Sequence, residues 1–250
     1  EDKIIRAASI LVDEGIAHPI LIGKRESVEA RAEVLGVSLD DIQIVTPKRA
    51  ERMDVYVDAL WEKRRRKGLT RSTAQWRLRR NRTYFGMMML ECGDADGLVA
   101  GLTQPYSETI RPALEIIGVR EGVVKAAGMY MVITQGDVKF LADTTINIDP
   151  DAQTLASTAI LAADAVATLG IEPRVAMLSF SNFGDAVHPS SQKVARATAL
   201  VRQQREDIMI DGEMQANVAV NPAAREPYPF TTLKGSANVL IFPNLDAGNI

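Results

Sequence analysis

Apolar residues along the first half of the chain recur at alternating helical and strand spacings. Ile4, Ile5, Ala8, Leu11 and Val12 form a helical stripe that stops at Gly15, a residue suited to the left-handed cap of a helix end. Residues 18–23 then read as a short buried strand, 27–35 as a helix closed by Gly36, and 41–45 as a second short strand. Pro47 opens a long helix toward Arg66, Thr70 begins another, and residues 84–90 read as a buried helix. Residues 97–101 have strand texture and would deliver 103–107 to a loop, after which Pro105 starts a helix carrying Arg111.

The texture changes after Gly118. Residues 126–134 and 138–142 look like two strands joined at Gln135-Gly136-Asp137, a hairpin turn. Residues 152–169 form an alanine-rich amphipathic helix, 174–179 a strand, 189–202 a helix and 208–211 a strand. A helix near 214–220 and a strand over 237–242 complete the series. Strands alternating with helices of ten or more residues predict an α/β fold with mostly parallel sheets covered on both faces. The expected organisation is two α/β domains, 1–120 and 121–250.

Composition changes the picture only by exclusion. With 46% hydrophobic and 24% charged residues the chain is globular in type. No apolar run approaches the roughly 18 residues of a spanning helix, and the first residues do not lead into a secretory signal, so no membrane partner is expected. The single cysteine, Cys92, permits no internal disulfide, and with only His18 and His188 the usual zinc clusters cannot be built. A cytoplasmic location follows as the expectation. A start at Glu1 instead of a methionine gives the chain the look of a segment of something longer.

Charge adds one feature. The net charge of −3 conceals a block, residues 63–82, with ten Lys or Arg and no acid; the remainder has 19 basic against 32 acidic residues, a balance of −13. Such a block attracts anions. Only Trp61 and Trp76 lie in or beside it and no nucleic-acid-reading signature is present, so the expected role is a solvated helical face with one or two anion-binding arginines, and no nucleic-acid partner.

In open parallel sheets ligands gather beyond the carboxyl ends of strands. Three polar segments fall there: Gly93-Asp94-Ala95-Asp96-Gly97 with the 103–111 stretch, Asp143-Thr144-Thr145-Ile146-Asn147, and Ser179-Phe180-Ser181-Asn182-Phe183-Gly184. Turns that cap strands and helices need the same residue types, so a structural role stands beside the functional one for each. The two aspartates at 94 and 96 lack the remaining positions of a calcium loop. His188 reads as a local helix cap before Pro189, and Cys92 as an inert buried thiol. No glycine-rich dinucleotide or Walker loop occurs.

Several segments carry a specific resemblance. Gly93-Asp-Ala-Asp-Gly-Leu-Val-Ala-Gly101, Thr109-Ile-Arg-Pro-Ala-Leu114, Glu172-Pro-Arg-Val-Ala-Met-Leu-Ser179, Asp211-Gly-Glu-Met-Gln215 and Gly235-Ser-Ala-Asn-Val-Leu-Ile-Phe-Pro-Asn-Leu245 resemble the phosphotransacetylase (phosphate acetyltransferase) family over nearly the whole chain. Ala142-Asp-Thr-Thr-Ile-Asn-Ile-Asp-Pro150 and Leu178-Ser-Phe-Ser-Asn-Phe-Gly184 are most similar to the phosphotransacetylase-like C-terminal module of bacterial NADP-dependent malic enzymes. The resemblance implies a two-domain fold related to isocitrate and isopropylmalate dehydrogenases, a ligand cleft between the domains, closure of the first domain by a segment outside this chain, and dimerisation through the second domain. It places Arg111, and in a looser register Arg64, on arginines that hold the phosphate or thioester end of the ligand. Thr103, Tyr106, Thr144, Ser181 and Asn182 are the further expected lining of an acetyl-CoA site. A guanidinium fork suits a phosphoryl group or developing oxyanion.

Two departures shape the functional expectation. The family's Ser-Arg pair and following aspartate fall after this chain's last residue, and Tyr106, Asn182 and Phe183 replace smaller or hydroxyl-bearing residues near the acyl end. The expected function is therefore a non-catalytic, acetyl-CoA-binding regulatory and oligomerising domain of a malic enzyme that converts malate to pyruvate. An active phosphate acetyltransferase is the alternative, and a purely structural oligomerisation domain a third. No cofactor or metal is expected in this chain; acetyl-CoA or CoA would be the effector, NADP and a divalent metal would belong to the attached malic enzyme domain, and a homodimer or higher homo-oligomer would form.

Overall fold

Leu60, Leu78, Phe85, Met88 and Ile116 are almost completely buried and come from four different helices, which makes them the centre of the first half of the chain. The computed structural model describes residues 1–250, which divide into two compact units, Glu1–Gly118 and Val119–Ile250. No helix is long and apolar enough to cross a membrane.

In the first unit, α1 (Asp2–Asp13) leads to β1 (Ile20–Ile22), α2 (Arg25–Leu35) and β2 (Gln43–Val45). Gly36 ends α2 in the left-handed conformation, φ 64°, which a glycine adopts without steric cost. β1 and β2 pair in parallel, Leu21 opposite Ile44. Four helices follow: α3 (Met53–Arg64), α4 (Arg71–Arg80), α5 (Arg82–Glu91) and α6 (Tyr106–Ile116). The Thr70 hydroxyl accepts the Thr73 N–H at 3.2 Å and the Asn81 side chain accepts the Tyr84 N–H at 3.1 Å, so each cap satisfies a donor that the helix start leaves orphaned.

Two expectations fail here. The long helix from Pro47 is a 3₁₀ turn over Pro47–Arg49 followed by α3, with a second 3₁₀ turn, Arg65–Lys67, after it. Residues 97–101 form no strand: β1 pairs only with β2, so this segment has no ladder to join. Leu98 alone packs on the core, and Val99 is 91% exposed.

The second unit opens with the hairpin of β3 (Met129–Thr134) and β4 (Asp137–Ala142), then α7 (Ala152–Thr168), β5 (Arg174–Leu178), α8 (Pro189–Gln204), β6 (Met209–Met214), α9 (Ala216–Val220), β7 (Val239–Ile241) and α10 (Leu245–Asn249). The sheet order is β3-β4-β7-β5-β6; β3 is antiparallel to β4 and every other pair is parallel. Alternation along β5 builds two cores. Val175 and Met177 join Leu155, Ala159 and Val166 of α7 with Val194, Ala197 and Val201 of α8, whereas Ala176 and Leu178 join Met214, Val218, Ala219 and Leu240 on the other face. The alanines of α7 let its backbone approach the sheet closely.

β6 runs three residues beyond its expected end, and α9 starts later than the sequence suggests. Gly212 is the reason: a Cβ there would lie 2.5 Å from the Met177 carbonyl oxygen, and its φ of 140° is closed to other residues. The β5–β6 register shifts beside it, between Met177 and Leu178. Gly212→Ala should therefore destabilise the protein by more than about 2 kcal/mol. The test is urea unfolding, where the midpoint should fall with an unchanged slope; an unaltered midpoint would contradict the close approach.

Candidate functional site

The carboxyl ends of β4, β7 and β5 lie along one edge of the second unit's sheet, and a cavity of about 400 Å³ opens there, lined among others by Asp149, Ser179, Phe180, Ser190, Lys193 and Asn244. The start of α8 forms part of its wall. His188 Nδ1 accepts the Ser190 N–H at 3.2 Å, the local cap that the sequence suggests, and the Ser191 hydroxyl accepts the His188 N–H at 3.2 Å. Lys193 Nζ pairs with Asp149 Oδ1 at 2.8 Å. The cavity thus has hydroxyl groups, the Lys193–Asp149 pair and a second carboxylate, Asp246, a polar lining with no cationic surplus.

Thr144, Ser181 and Asn182 stand just behind this edge. Asp143 Oδ1 accepts the N–H groups of Gly128, Thr145 and Ile146 at 3.0, 2.9 and 3.0 Å, and Oδ2 accepts the Asn147 N–H at 2.9 Å and its side-chain amide at 2.5 Å. Thr144 is fully buried within this turn and its hydroxyl makes no hydrogen bond. Ser181 and Asn182 are buried as well. The Ser181 hydroxyl donates to Glu213 Oε1 at 3.3 Å and accepts the Ala186 N–H at 3.1 Å; Asn182 Oδ1 accepts the Gln215 N–H at 2.9 Å. The Gly184 N–H donates to the same Glu213 oxygen at 2.6 Å. Ser181 and Asn182 are therefore ties within the loop, and their neighbours Ser179 and Phe180 face the cavity.

Phe183 is placed by ring contacts within the second unit. Its ring packs against Tyr228 and Phe230, each with centroids 5.0 Å away, which accounts for its bulk without any ligand. Those partners lie some forty-five residues along the chain, beyond what local pattern can reveal.

In the first unit, the expected ligand residues cluster on and around α6. Arg111 is exposed and enters no ion pair; in particular it pairs with neither Glu108 nor Glu115 of its own helix. Arg64 is held by Glu115, Nη2 to Oε1 at 3.5 Å. Arg77 from α4 approaches the other oxygen of Glu115 at 3.3 Å, and the Tyr84 hydroxyl donates to that same oxygen at 2.8 Å. Burial, and then the Glu115 carboxylate, push the Tyr84 phenol up to about 12. Arg77 and Tyr84 are functional candidates that sequence reasoning missed; a lone tyrosine in the otherwise apolar 84–90 run was the available signal. The Thr103 hydroxyl donates to the Glu1 carboxylate, and Tyr106 stands 47% exposed in the first turn of α6.

Half of the basic block is paired with carboxylates. Lys63 pairs with Glu91, Arg65 with Glu62 at 2.6 Å and Arg71 with Asp58 at 3.1 Å, while Arg65 and Arg71 also lie over the Trp61 ring at 5.3 and 4.8 Å. Asp94 accepts from Arg52 and, at 2.5 Å, from the Tyr56 hydroxyl, so this member of the first polar segment ties α3 to the end of α5. Burial and the neighbouring Asp94 raise Cys92 above the usual thiol range, which keeps it a thiol. No group of three or more His, Cys, Asp or Glu side chains is placed to hold a metal ion.

Comparison with known proteins gives these features a family. A phosphate acetyltransferase of Bacillus subtilis (strain 168) is 38% identical over 251 residues, covering 100% of this chain and 77% of that protein. An NADP-dependent malic enzyme of Escherichia coli (strain K12) is also 38% identical, over 254 residues, but there 100% of this chain corresponds to 34% of the relative. The chain thus spans about a third of that malic enzyme's length. The solved phosphotransacetylase from Streptococcus pyogenes matches with a TM-score of 0.91 and 35% identity, over 100% of this chain and 76% of that one. With the phosphate acetyl/butaryl transferase family profile matching residues 1–250 throughout, the chain belongs to that family.

Proposed function

We propose that this chain supports acyl transfer between CoA and phosphate: acetyl phosphate and CoA give acetyl-CoA and inorganic phosphate. The carrying observation is coverage. The chain accounts for 77% of a phosphate acetyltransferase at 38% identity, and for 34% of a malic enzyme at the same identity. This supports the transferase over the regulatory domain that the sequence alone suggests. In the reaction the CoA sulfur bonds to the acetyl carbonyl carbon, the carbon–oxygen bond to phosphate breaks with its electrons, and the thiol proton passes to a base. The part assigned to this chain is to hold the charged end of the ligand. Arg111 has no carboxylate partner, which leaves its guanidinium available to charge that develops on the ligand. Arg64 assists from its Glu115 pair, with Thr103 and Tyr106 beside them on the approach to α6. Thr144, Ser181 and Asn182 support the strand-end cavity of the second unit from beneath.

A second reading keeps acetyl-CoA as an effector and loses the chemistry. The equal identity to malic enzymes supports it, and NADP and a divalent metal would then belong to an attached malic enzyme domain. Self-association would accompany either reading. Its support is β3, an edge strand whose Tyr130, Met131, Val132 and Ile133 are all exposed and which carries no charge.

Thioester formation from acetyl phosphate and CoA, followed by absorbance with the full-length protein, separates the two. Turnover above about 1 s⁻¹, the low end of ordinary enzymes, is the expected result. Calorimetric binding of acetyl-CoA with no turnover would install the effector reading instead. Arg111→Ala should weaken acetyl-CoA binding by about 1.5 to 3 kcal/mol, the worth of a hydrogen bond to a charged group, while leaving the thermal midpoint within a degree or two because the side chain is exposed and unpaired. Unchanged calorimetric affinity in the folded variant would remove Arg111 from the site.

A further inference from the structure

We infer that Glu115 is a positioning residue: its carboxylate gathers Arg64 and Arg77 beside Arg111, so that the α6 surface offers an anion one group of guanidiniums. The inference rests on the reading of this surface as the holder of the ligand's phosphate or thioester end.

Two arginines from two helices meet at Glu115, and a third, Arg111, shares its helix. Arg64 ends α3, Arg77 belongs to the last turn of α4, and Arg111 sits one turn before Glu115 on α6, where residues four apart share a face. Like charges so placed repel, and the repulsion is stronger near a low-dielectric core than in water. One carboxylate between them makes the arrangement stable. Glu115 is itself held in place, because the Tyr84 hydroxyl donates to it at 2.8 Å and Arg77 lies over the Tyr84 ring at 5.6 Å. Its side chain is 19% exposed and that of Arg64 20%, so neither is free to swing into solvent.

The distances distinguish positioning from simple bracing. Tight charge-assisted bonds lie near 2.7 to 2.9 Å. The contacts to Arg64 and Arg77, 3.5 and 3.3 Å, are longer, and each guanidinium has five N–H donors of which Glu115 takes few. A brace would also be neutral. Here two guanidiniums face one carboxylate and the unpaired Arg111 lies one turn away on the same helix, so positive charge is left over for an anion.

The experiment is a double-mutant cycle read by calorimetric titration of the full-length protein with acetyl-CoA. Glu115→Gln should weaken binding about ten-fold where Arg64 is present, the size of one lost hydrogen bond to a charged group, and by less than about two-fold in the Arg64→Ala background. Glu115→Asp should recover part of the loss. Equal losses in both backgrounds would make Glu115 a general brace and overturn the inference; tighter binding by Glu115→Gln would mean that the carboxylate competes with the ligand and would overturn it too. Should Glu115→Gln fail to fold, Tyr84→Phe, which frees the carboxylate from its anchor and keeps its charge, takes its place: a loss confined to the Arg64-containing background is expected, and no loss counts against the role. Wild-type protein that does not bind acetyl-CoA would reject the ligand reading and the inference with it. Binding that Arg111→Ala weakens and the whole cycle leaves unmoved would reject Glu115 alone.

Discussion

A buried carboxylate must find donors, and the carboxyl edge of the five-stranded sheet is organised around that requirement. Asp143 and Glu213 stand at that edge and Asp211 midway along β6, each no more than 4% exposed. Asp143 gathers the turn after β4. Asp211 accepts from Arg202 at 2.5 Å, from the Gly212 and Thr232 N–H groups at 2.9 and 2.7 Å, and from the Thr231 hydroxyl at 2.8 Å. Glu213 fixes the loop after β5 through Ser181 and Gly184. An uncompensated charge at any of these positions would cost several kcal/mol, so the loops have little freedom to rearrange. Parallel pairing brings successive strand ends to one edge, and the carboxylates convert that edge into a floor with fixed shape.

The first unit solves the opposite problem. Its 63–82 block is cationic, and half of it, Lys63, Arg64, Arg65, Arg71 and Arg77, is matched by four carboxylates, while Arg80 lies over the Trp76 ring. Arg225 shows what the second unit does with a single buried cation: Nη1 donates to the Val218 and Ala219 carbonyls at 3.0 and 2.8 Å, and Nη2 donates to the Gly235 carbonyl, so the guanidinium closes the end of α9 with no carboxylate partner. Burial lowers its proton affinity, yet an arginine starts so far above neutrality that it stays charged. Carbonyls suffice where the role is structural; Arg64 and Arg77 meet the single carboxylate of Glu115 and keep unspent donors.

How much of this could be read from the sequence depends on whether the deciding partner was local. The hairpin at Gln135-Gly136, the Gly36 cap, the Asp151 cap that accepts the Thr154 N–H at 2.8 Å, and the His188 cap are all set within four residues, and pattern alone locates them. Strand texture at 97–101 misleads because a strand is a relation between two segments. Apolar residues bounded by glycines mark a segment able to pair, while pairing also needs an open neighbour. The last residues of β6 were hidden for a related reason: the Met177 backbone excludes a side chain at 212, and the loop after β5 gives the glutamate its donors. In the candidate site, Arg111 was visible as a cation after a polar loop. Its setting was not, because Glu115 meets Arg64 and Arg77 across separations of 51 and 38 residues.

The two kinds of relative bear on where functional change can occur. A phosphate acetyltransferase and a malic enzyme match this chain equally well, at 38% identity over its whole length, so the segment tolerates two molecular contexts. The ties described above leave few places for the difference to reside. Replacing Asp143, Asp211, Glu213 or Gly212 would strand buried groups or force backbone apart, and the consequence would be loss of the fold before any change of chemistry. Exposed positions carry no such penalty. Tyr106 and Arg111, on successive turns of α6, can alter what the surface holds while the core beneath α6, anchored by Ile116, stays as it is. A fold whose strand-end loops are fixed by buried polar bonds therefore leaves functional change to a handful of surface side chains, and α6 is an element of the first unit where such side chains sit.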